Sequence, residues 1–228
     1  MKIISFDVRG KLAHFRRPDT TATHLSYPFI TPTAVKGMVG AILGIEDFTT
    51  TDKIGIQLLN PVVTIAQQMS MLGKDGGSSF NRPTTMELLV NPAYRIYYSG
   101  DHYTDELETH LTSGTAVYPT FLGSAYALTK PVLHRIDTEA VEVRQSEQAI
   151  EISSIVPTCI VKDIVWQHHH HYSRAGGFMW VYKGERKFEK SLDFLYERSG
   201  KRVAVQLKEE WKEDVVIVRM GDEHVCLV

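Results

Sequence analysis

Cysteine is almost missing from this chain: Cys159 and Cys226 are the only two in 228 residues. Two thiols build neither a disulfide framework nor a cysteine-based zinc site, so a cytoplasmic setting is the default expectation. Long apolar runs are missing too. None approaches the roughly 20 residues that a membrane span requires, so no membrane partner is expected. The opening residues, MKIISFDVRGK, place a charge inside their apolar run and offer no small-residue cleavage site, so they do not read as a secretory signal. There is no internal repeat, and His168–His171 is the only low-complexity stretch. An excess of positive charge is absent as well: 25 Lys and Arg stand against 27 Asp and Glu, a net charge of −2. That balance excludes a uniformly basic, histone-like protein but not a polyanion held in one groove.

The most telling absence is local. No acid lies between Thr20 and Ile45, and from Met1 to Gly44 only Asp7 and Asp19 oppose Lys2, Arg9, Lys11, Arg16, Arg17 and Lys36. That segment carries about +4 in a chain that is slightly negative overall. Arg16, Arg17 and Lys36 are therefore the first candidates for phosphate contacts, since guanidinium forks match phosphate oxygens. A solvated basic face is the plainer alternative. Tyr27 and Phe29 lie in the same loop. Either ring can stack on a splayed base, and Phe29 can equally pack against the helix that follows.

What is present sorts into alternating and helical stretches. Lys2–Leu12 alternates, with Ile4, Phe6 and Val8 on one face, and reads as the first strand. Ala34–Leu43 has Val35, Met38, Val39 and Ile42 at helical spacing, with Thr31 or Thr33 as N-cap and Gly44 at the C-cap. Lys36 in its first turn opposes the helix dipole, which a nearby anion would relieve. Ile54–Asn60 is ambiguous, and Pro61–Gln68 reads as a second strand. Met86–Tyr98 is a third, with a bulge or kink at Asn91-Pro92; Asp101–Leu111 is a short helix; Leu128–Ile136 is a fourth strand. This βαββαβ order predicts an α+β, ferredoxin-like or RRM-like domain over residues 1–138. An acidic boundary at Glu139–Glu151 leads into a small β-rich C-terminal region, 139–228.

Other residues carry chemistry with two readings. Met69–Thr85 is a Gly/Ser-rich insertion holding Lys74, Asn81 and Arg82; it is either a mobile surface loop or one that orders on a ligand. Gly123 and Ser124 in YPTFLGS either let the backbone approach a phosphate or form a tight turn. Tyr97 alternates with Arg95 and is either an RRM-type stacking residue on an open sheet or a half-buried tyrosine. The four adjacent histidines lack an accompanying carboxylate or thiol pattern, so a basic loop is expected there and no metal site. No cofactor is called for.

Three segments are similar to one family. FDVRGKLAHFRRPDTTATHLSYPFITPTAVKGMVGAILG, RPTTMELLVNPAYRIYYSG and YPTFLGSAYAL, in that order, resemble the Cas-five family of CRISPR-associated proteins of the RAMP superfamily, nearest its type I-B branch. The likeness covers about the first 135 residues. It implies an RRM-like domain with a long β2–β3 "thumb" hairpin, which the insertion at 69–85 fits. Met69, Met71, Leu72 and Phe80 would then wedge against bases or a neighbouring subunit. It also implies a role: a non-catalytic, RNA-binding subunit of a type I surveillance (Cascade) complex in antiviral defence. Such a subunit anchors the 5′ handle of the CRISPR RNA, contacts the backbone and large subunits, and meets target DNA only through the complex. One branch of the family cuts precursor RNA, so a metal-independent endoribonuclease is the alternative; His24, Tyr27, His102 or His134 with Lys130 are the groups available, at no diagnostic spacing. No catalytic residue is assigned. An RRM-like protein outside CRISPR is a third possibility.

Overall fold

The computed structural model describes residues 1–75, 77–144, 148–211 and 214–228, apart from the side chains of residues 74, 75 and 78. In chain order the first half holds β1 (Ile3–Arg9), β2 (Leu12–Ala13), α1 (Pro32–Leu43), β3 (Lys53–Leu58), β4 (Thr64–Asp75), β5 (Ser78–Val90), β6 (Ala93–Ser99) and α2 (Thr104–Ser113). Then come β7 (Thr120–Phe121), β8 (Leu128–Thr129), β9 (Val132–Asp137), β10 (Val141–Val143), β11 (Ile150–Ile152) and β12 (Val156–Pro157). After one 3-10 turn follow β13 (Val161–Ile164), β14 (Tyr172–Tyr182), β15 (Phe188–Glu197), β16 (Val203–Leu207), β17 (Val216–Met220) and β18 (Glu223–Leu227).

This corrects the expected fold class. The protein is mostly β, with eighteen strands in five sheets and two α-helices among the described residues, not an α+β ferredoxin-like domain with a small appendage. Two physical reasons account for the difference. First, the four-stranded sheet is covered on both faces. The four-stranded sheet, ordered β3-β6-β1-β9, buries Ile4, Phe6, Val8, Ile54, Ile56 and Ile96 in the main core together with residues of both helices. Its other face carries Ile3 and Tyr97, which pack with Val218, Met220, Val225 and Leu227 of β17 and β18. Tyr97 is therefore 1% exposed, with its hydroxyl donated to Gln57 Oε1 at 2.6 Å. Second, the C-terminal strands are structural partners of the first half. Ile54 and Val228 exchange two backbone hydrogen bonds of 2.9 Å each, and the main core runs without a break from Ile4 to Val228.

Two strand assignments also move. The second strand of the four-stranded sheet is Lys53–Leu58, whose Ile54, Ile56 and Leu58 are buried, rather than Pro61–Gln68. The run Met86–Tyr98 is two strands, because Asn91 adopts φ 48° and turns the chain between β5 and β6. The helix α1 forms as its residues dictate: the Thr31 hydroxyl accepts from the Ala34 amide at 3.1 Å, Pro32 occupies the first turn, and Gly44 closes it at φ 78°.

Candidate nucleic-acid interface

The longest hairpin pairs β4 with β5 from Thr64↔Leu89 out to Asp75↔Ser78. The residues between Met69 and Thr85 are thus mostly paired strand, not an irregular loop. Near its tip Leu72, Met71 and Phe80 are exposed, Leu72 by 71%, and Met69 is half-buried. Phe80 lies over Gly73, where a Cβ would come within 2.6 Å of its ring. Met71 pairs with Arg82 and Leu72 with Asn81, so the apolar and polar candidates share one ribbon. Asn81 and Arg82 are exposed; the side chain of Lys74 lies outside the described residues, as does Glu147 of the acidic boundary.

At the base of this hairpin all three of the singled-out segments meet. β2 pairs with β5 through Leu12↔Val90 and Ala13↔Leu89. The chain then runs into a loop closed by Arg17 N to Leu25 O at 2.9 Å, Tyr27 N to Phe15 O at 2.7 Å and an Arg16↔Ser26 bridge. That loop lies along β5: the His24 amide donates to Thr85 O at 2.9 Å, and the Glu87 amide donates to His24 O at 3.0 Å. The Glu87 carboxylate accepts from the Ser26 amide at 3.0 Å, and the His14 ring bonds the Glu87 carbonyl at 2.8 Å. On the far side the His14 amide donates to Leu122 O at 3.2 Å. Gly123, at φ 78°, presses so close to His14 O that a Cβ would sit 2.2 Å from it. Only glycine fits that approach, which gives Gly123 a structural task whatever else it does.

Arg16 and Arg82 are exposed and form no ion pair among the described residues. Both lie close enough to His24 to act on it: burial, then Arg16, His14 and Arg82, hold its imidazole below the ordinary histidine range. Arg17 differs. Its guanidinium forks onto Asp19 at 2.6 and 3.1 Å, and that bond raises its pKa.

The remaining candidates are placed elsewhere. Tyr27 is 6% exposed, stacked on Phe178 of β14 with its hydroxyl given to Gly177 O at 2.6 Å. Phe29 is fully buried in the main core, with its ring against Phe178, Phe194 and Tyr196 of β14 and β15. Arg17 and Tyr27 line a cleft of about 440 Å³ against Lys190 and Met179. Lys36 lines a different one, of about 500 Å³, with Lys53, Lys183 and Lys190. Burial lowers the Lys36 pKa, and its ammonium donates to Thr50 O at 3.4 Å. Lys190 lines both clefts.

Sequence reasoning passed over His14 and Glu87, which tie the junction together, and His14 keeps Nε2 buried without a hydrogen-bond partner among the described residues. The only signal was position: His14 sits between Ala13 and Phe15, both buried, where an apolar residue is expected. The His168–His171 run is a turn, with His169 at φ 61°, held by the Glu197 carboxylate on the His171 amide at 2.7 Å. Among the described residues no group of three or more His, Cys, Asp or Glu is placed to hold a metal. Among the described residues no helix is long and apolar enough to cross a membrane.

Comparison with known proteins gives a consistent picture. No curated protein matches the chain. A crystal structure of a CRISPR protein from Archaeoglobus fulgidus is similar at TM-score 0.58 and 13% identity, over 99% of this chain and 98% of that one. A chain of a CRISPR RNA-guided surveillance complex is similar at TM-score 0.54 and 11% identity, over 88% and 91%. At such identities these likenesses speak to the fold. Residues 3–154 match the family described as CRISPR-associated protein (Cas_Cas5), which is more than half of the chain, and the protein belongs to that family.

Proposed function

We propose that this protein is a non-catalytic RNA-binding subunit of a type I CRISPR surveillance complex, anchoring the 5′ handle of the CRISPR RNA at the base of the β4–β5 hairpin. The observation that carries the reading is the convergence of the three segments there, with Arg16 and Arg82 left unpaired beside His24. Free guanidinium groups on exposed backbone positions suit phosphates, and a glycine-tight turn at Gly123 and Ser124 lets a strand pass close. Lys36 and Arg17 would act as flanking contacts from two clefts that share Lys190; Lys74 and Asn81 would follow the hairpin outward. Met69, Met71, Leu72 and Phe80 would meet the backbone subunit, and the large subunit would dock nearby, with target DNA reached only through the complex. Residues 1–138 would supply the RNA wall and 139–228 its support, in the cytoplasm. Membership of the family and the fold likeness to a surveillance-complex chain support this reading.

The test is binding of the repeat-derived handle RNA at several salt concentrations. Arg16→Ala and Arg82→Ala should each weaken binding and lower the salt slope by roughly 1. Unchanged affinity and slope in the double variant would sink the proposal.

One observation favours a second reading, a metal-independent endoribonuclease. Burial and the neighbouring Arg16 and Arg82 shift the His24 imidazole toward its neutral form, the form a general base near a scissile phosphate needs. Cleavage of precursor RNA that persists in EDTA and disappears in His24→Ala would establish it.

A further inference from the structure

Strand β4 is the outer strand of the three-stranded sheet ordered β2-β5-β4, and no strand among the described residues covers its far edge. Alternation decides which of its backbone groups face outward. The Val90 amide donates to Val63 O, so residues 63, 65, 67, 69 and 71 turn their backbone groups toward β5. Thr64, Ala66, Gln68, Ser70 and Leu72 turn theirs away. Gln67 Nε2 donates to Gln68 O at 3.2 Å, which fits a carbonyl on the outer side.

Sheets ordinarily protect such an edge with charge, proline or a bulge. The opposite edge of this ribbon is protected. His24 exchanges backbone hydrogen bonds with Thr85 and Glu87 of β5, Ala13 pairs with Leu89, and Pro83 has no amide to offer. β4 has none of these devices. Its twelve pairs with β5 run without a register shift, and it holds no charge or proline before Lys74. Arg82 and Glu87 belong to β5, one strand further in.

The pattern of the edge selects its partner. Turned antiparallel on itself about Gln68, the strand sets Thr64 opposite Leu72, Ala66 opposite Ser70 and Gln68 opposite its own copy, through the outward backbone groups. On the other face Ile65 comes opposite Met71, 44% and 37% exposed, and Gln67 opposite Met69. No charge meets its like, and exposed apolar residues near the base meet those near the tip. An acidic or basic segment would find no counter-charge along this edge.

We infer that two copies of this chain pair through their β4 edges, antiparallel and centred on Gln68, joining two three-stranded sheets into one of six. The pairing occupies Met69, Met71 and Leu72, which the proposed function gives to a neighbouring subunit, so the dimer and the assembled complex exclude one another. RNA binding plays no part in the inference.

The experiment is sedimentation equilibrium of the full chain from about 1 μM to about 1 mM. The mass should rise from one chain of 25.8 kDa toward two. Gln68→Lys sets lysine against lysine, and Ser70→Pro removes an outward amide while leaving the ladder to β5 intact. Each should weaken dimerisation roughly tenfold or more, the lysine variant less so at high salt. Circular dichroism like that of wild type shows that both variants fold. An equimolar mixture of Ile65→Cys and Met71→Cys, each with Cys159→Ser, should form a disulfide-linked dimer on mild oxidation, and neither alone should, because directly opposed residues lie within disulfide reach. A wild type that stays one chain throughout overturns the inference. So does a dimer that neither Gln68→Lys nor Ser70→Pro weakens, which would use another surface. Failure of the mixture to cross-link overturns the pairing centred on Gln68. If wild type stays monomeric and the edge instead takes a strand of another subunit, the inference is overturned as well. None of these results touches the RNA reading.

Discussion

Tyr27 stacks on Phe178 with ring centroids 4.3 Å apart and donates its hydroxyl to the neighbouring Gly177 carbonyl at 2.6 Å. Tyr27 belongs to the loop after β2 and Gly177 to β14, 150 positions later, so the contact fixes the loop that carries Arg16 onto the second half of the molecule. Phe29 stacks on the same ring at 4.9 Å. Tyr27→Phe keeps the stack and removes one hydrogen bond, so it should cost about 1 kcal/mol. Phe178→Ala empties a fully buried site under two rings and should cost about 3–5 kcal/mol. Urea unfolding of both variants measures the ratio. Equal losses would mean that the stack contributes little.

Glu197 gives the molecule a pH dependence. It is 2% exposed, and its two oxygens accept from the amides of His171, Ser199 and Lys201 at 2.7, 2.8 and 3.0 Å. Burial alone would raise its pKa; the three amides outweigh it and hold the carboxyl below the ordinary glutamate range. A carboxyl depressed on folding stabilises the fold above its unfolded pKa, and that contribution is lost as pH falls through the folded value. Glu197→Gln turns an amide donor toward backbone donors and should cost about 1–3 kcal/mol at neutral pH. The gap between variant and wild type should narrow in acid, as wild type itself becomes protonated. A gap independent of pH would contradict the assignment.

Gly123→Ala tests the junction from the turn side. Its φ of 78° strains any L side chain, and the added Cβ would meet His14 O at 2.2 Å. The expected loss exceeds the roughly 1 kcal/mol of an ordinary glycine replacement at positive φ. Gly77, also at positive φ (90°) but with nothing near its Cβ position, is the control and should lose less. Thermal unfolding of the two variants makes the comparison.

Local signals in the sequence were read well and long-range ones poorly. The N-cap at Thr31, the stop at Gly44 and the alternation of Ile4, Phe6 and Val8 depend on neighbours in the chain, and the structure places them so. The family itself was legible, because its three segments are local motifs. What covers the second face of the four-stranded sheet was not: Tyr97 meets Val218 and Leu227 more than a hundred residues away, and no periodicity announces such a partner. Charge was read along the chain and not in space. Arg17 finds Asp19 and Lys36 lies in another cleft, while Arg82, distant in sequence, comes to the side of Arg16 and His24.

The hairpin tip separates stability from assembly. Leu72 is 71% exposed and Phe80 48% exposed, and in the chain by itself they bury little, so Leu72→Ser with Phe80→Ser should change unfolding free energy by only about 0.5 kcal/mol. If these side chains meet a neighbouring subunit, the same pair should remove the subunit from the assembled complex, because apolar anchors carry a disproportionate share of interface energy. Co-purification with the tagged backbone subunit, together with an unfolding curve, reads both quantities. The ratio of the two effects carries the information. A variant that folds normally and fails to assemble assigns the tip to an interface. One that assembles normally makes the tip a free surface, and one that unfolds shows that Phe80 over Gly73 already holds the ribbon together.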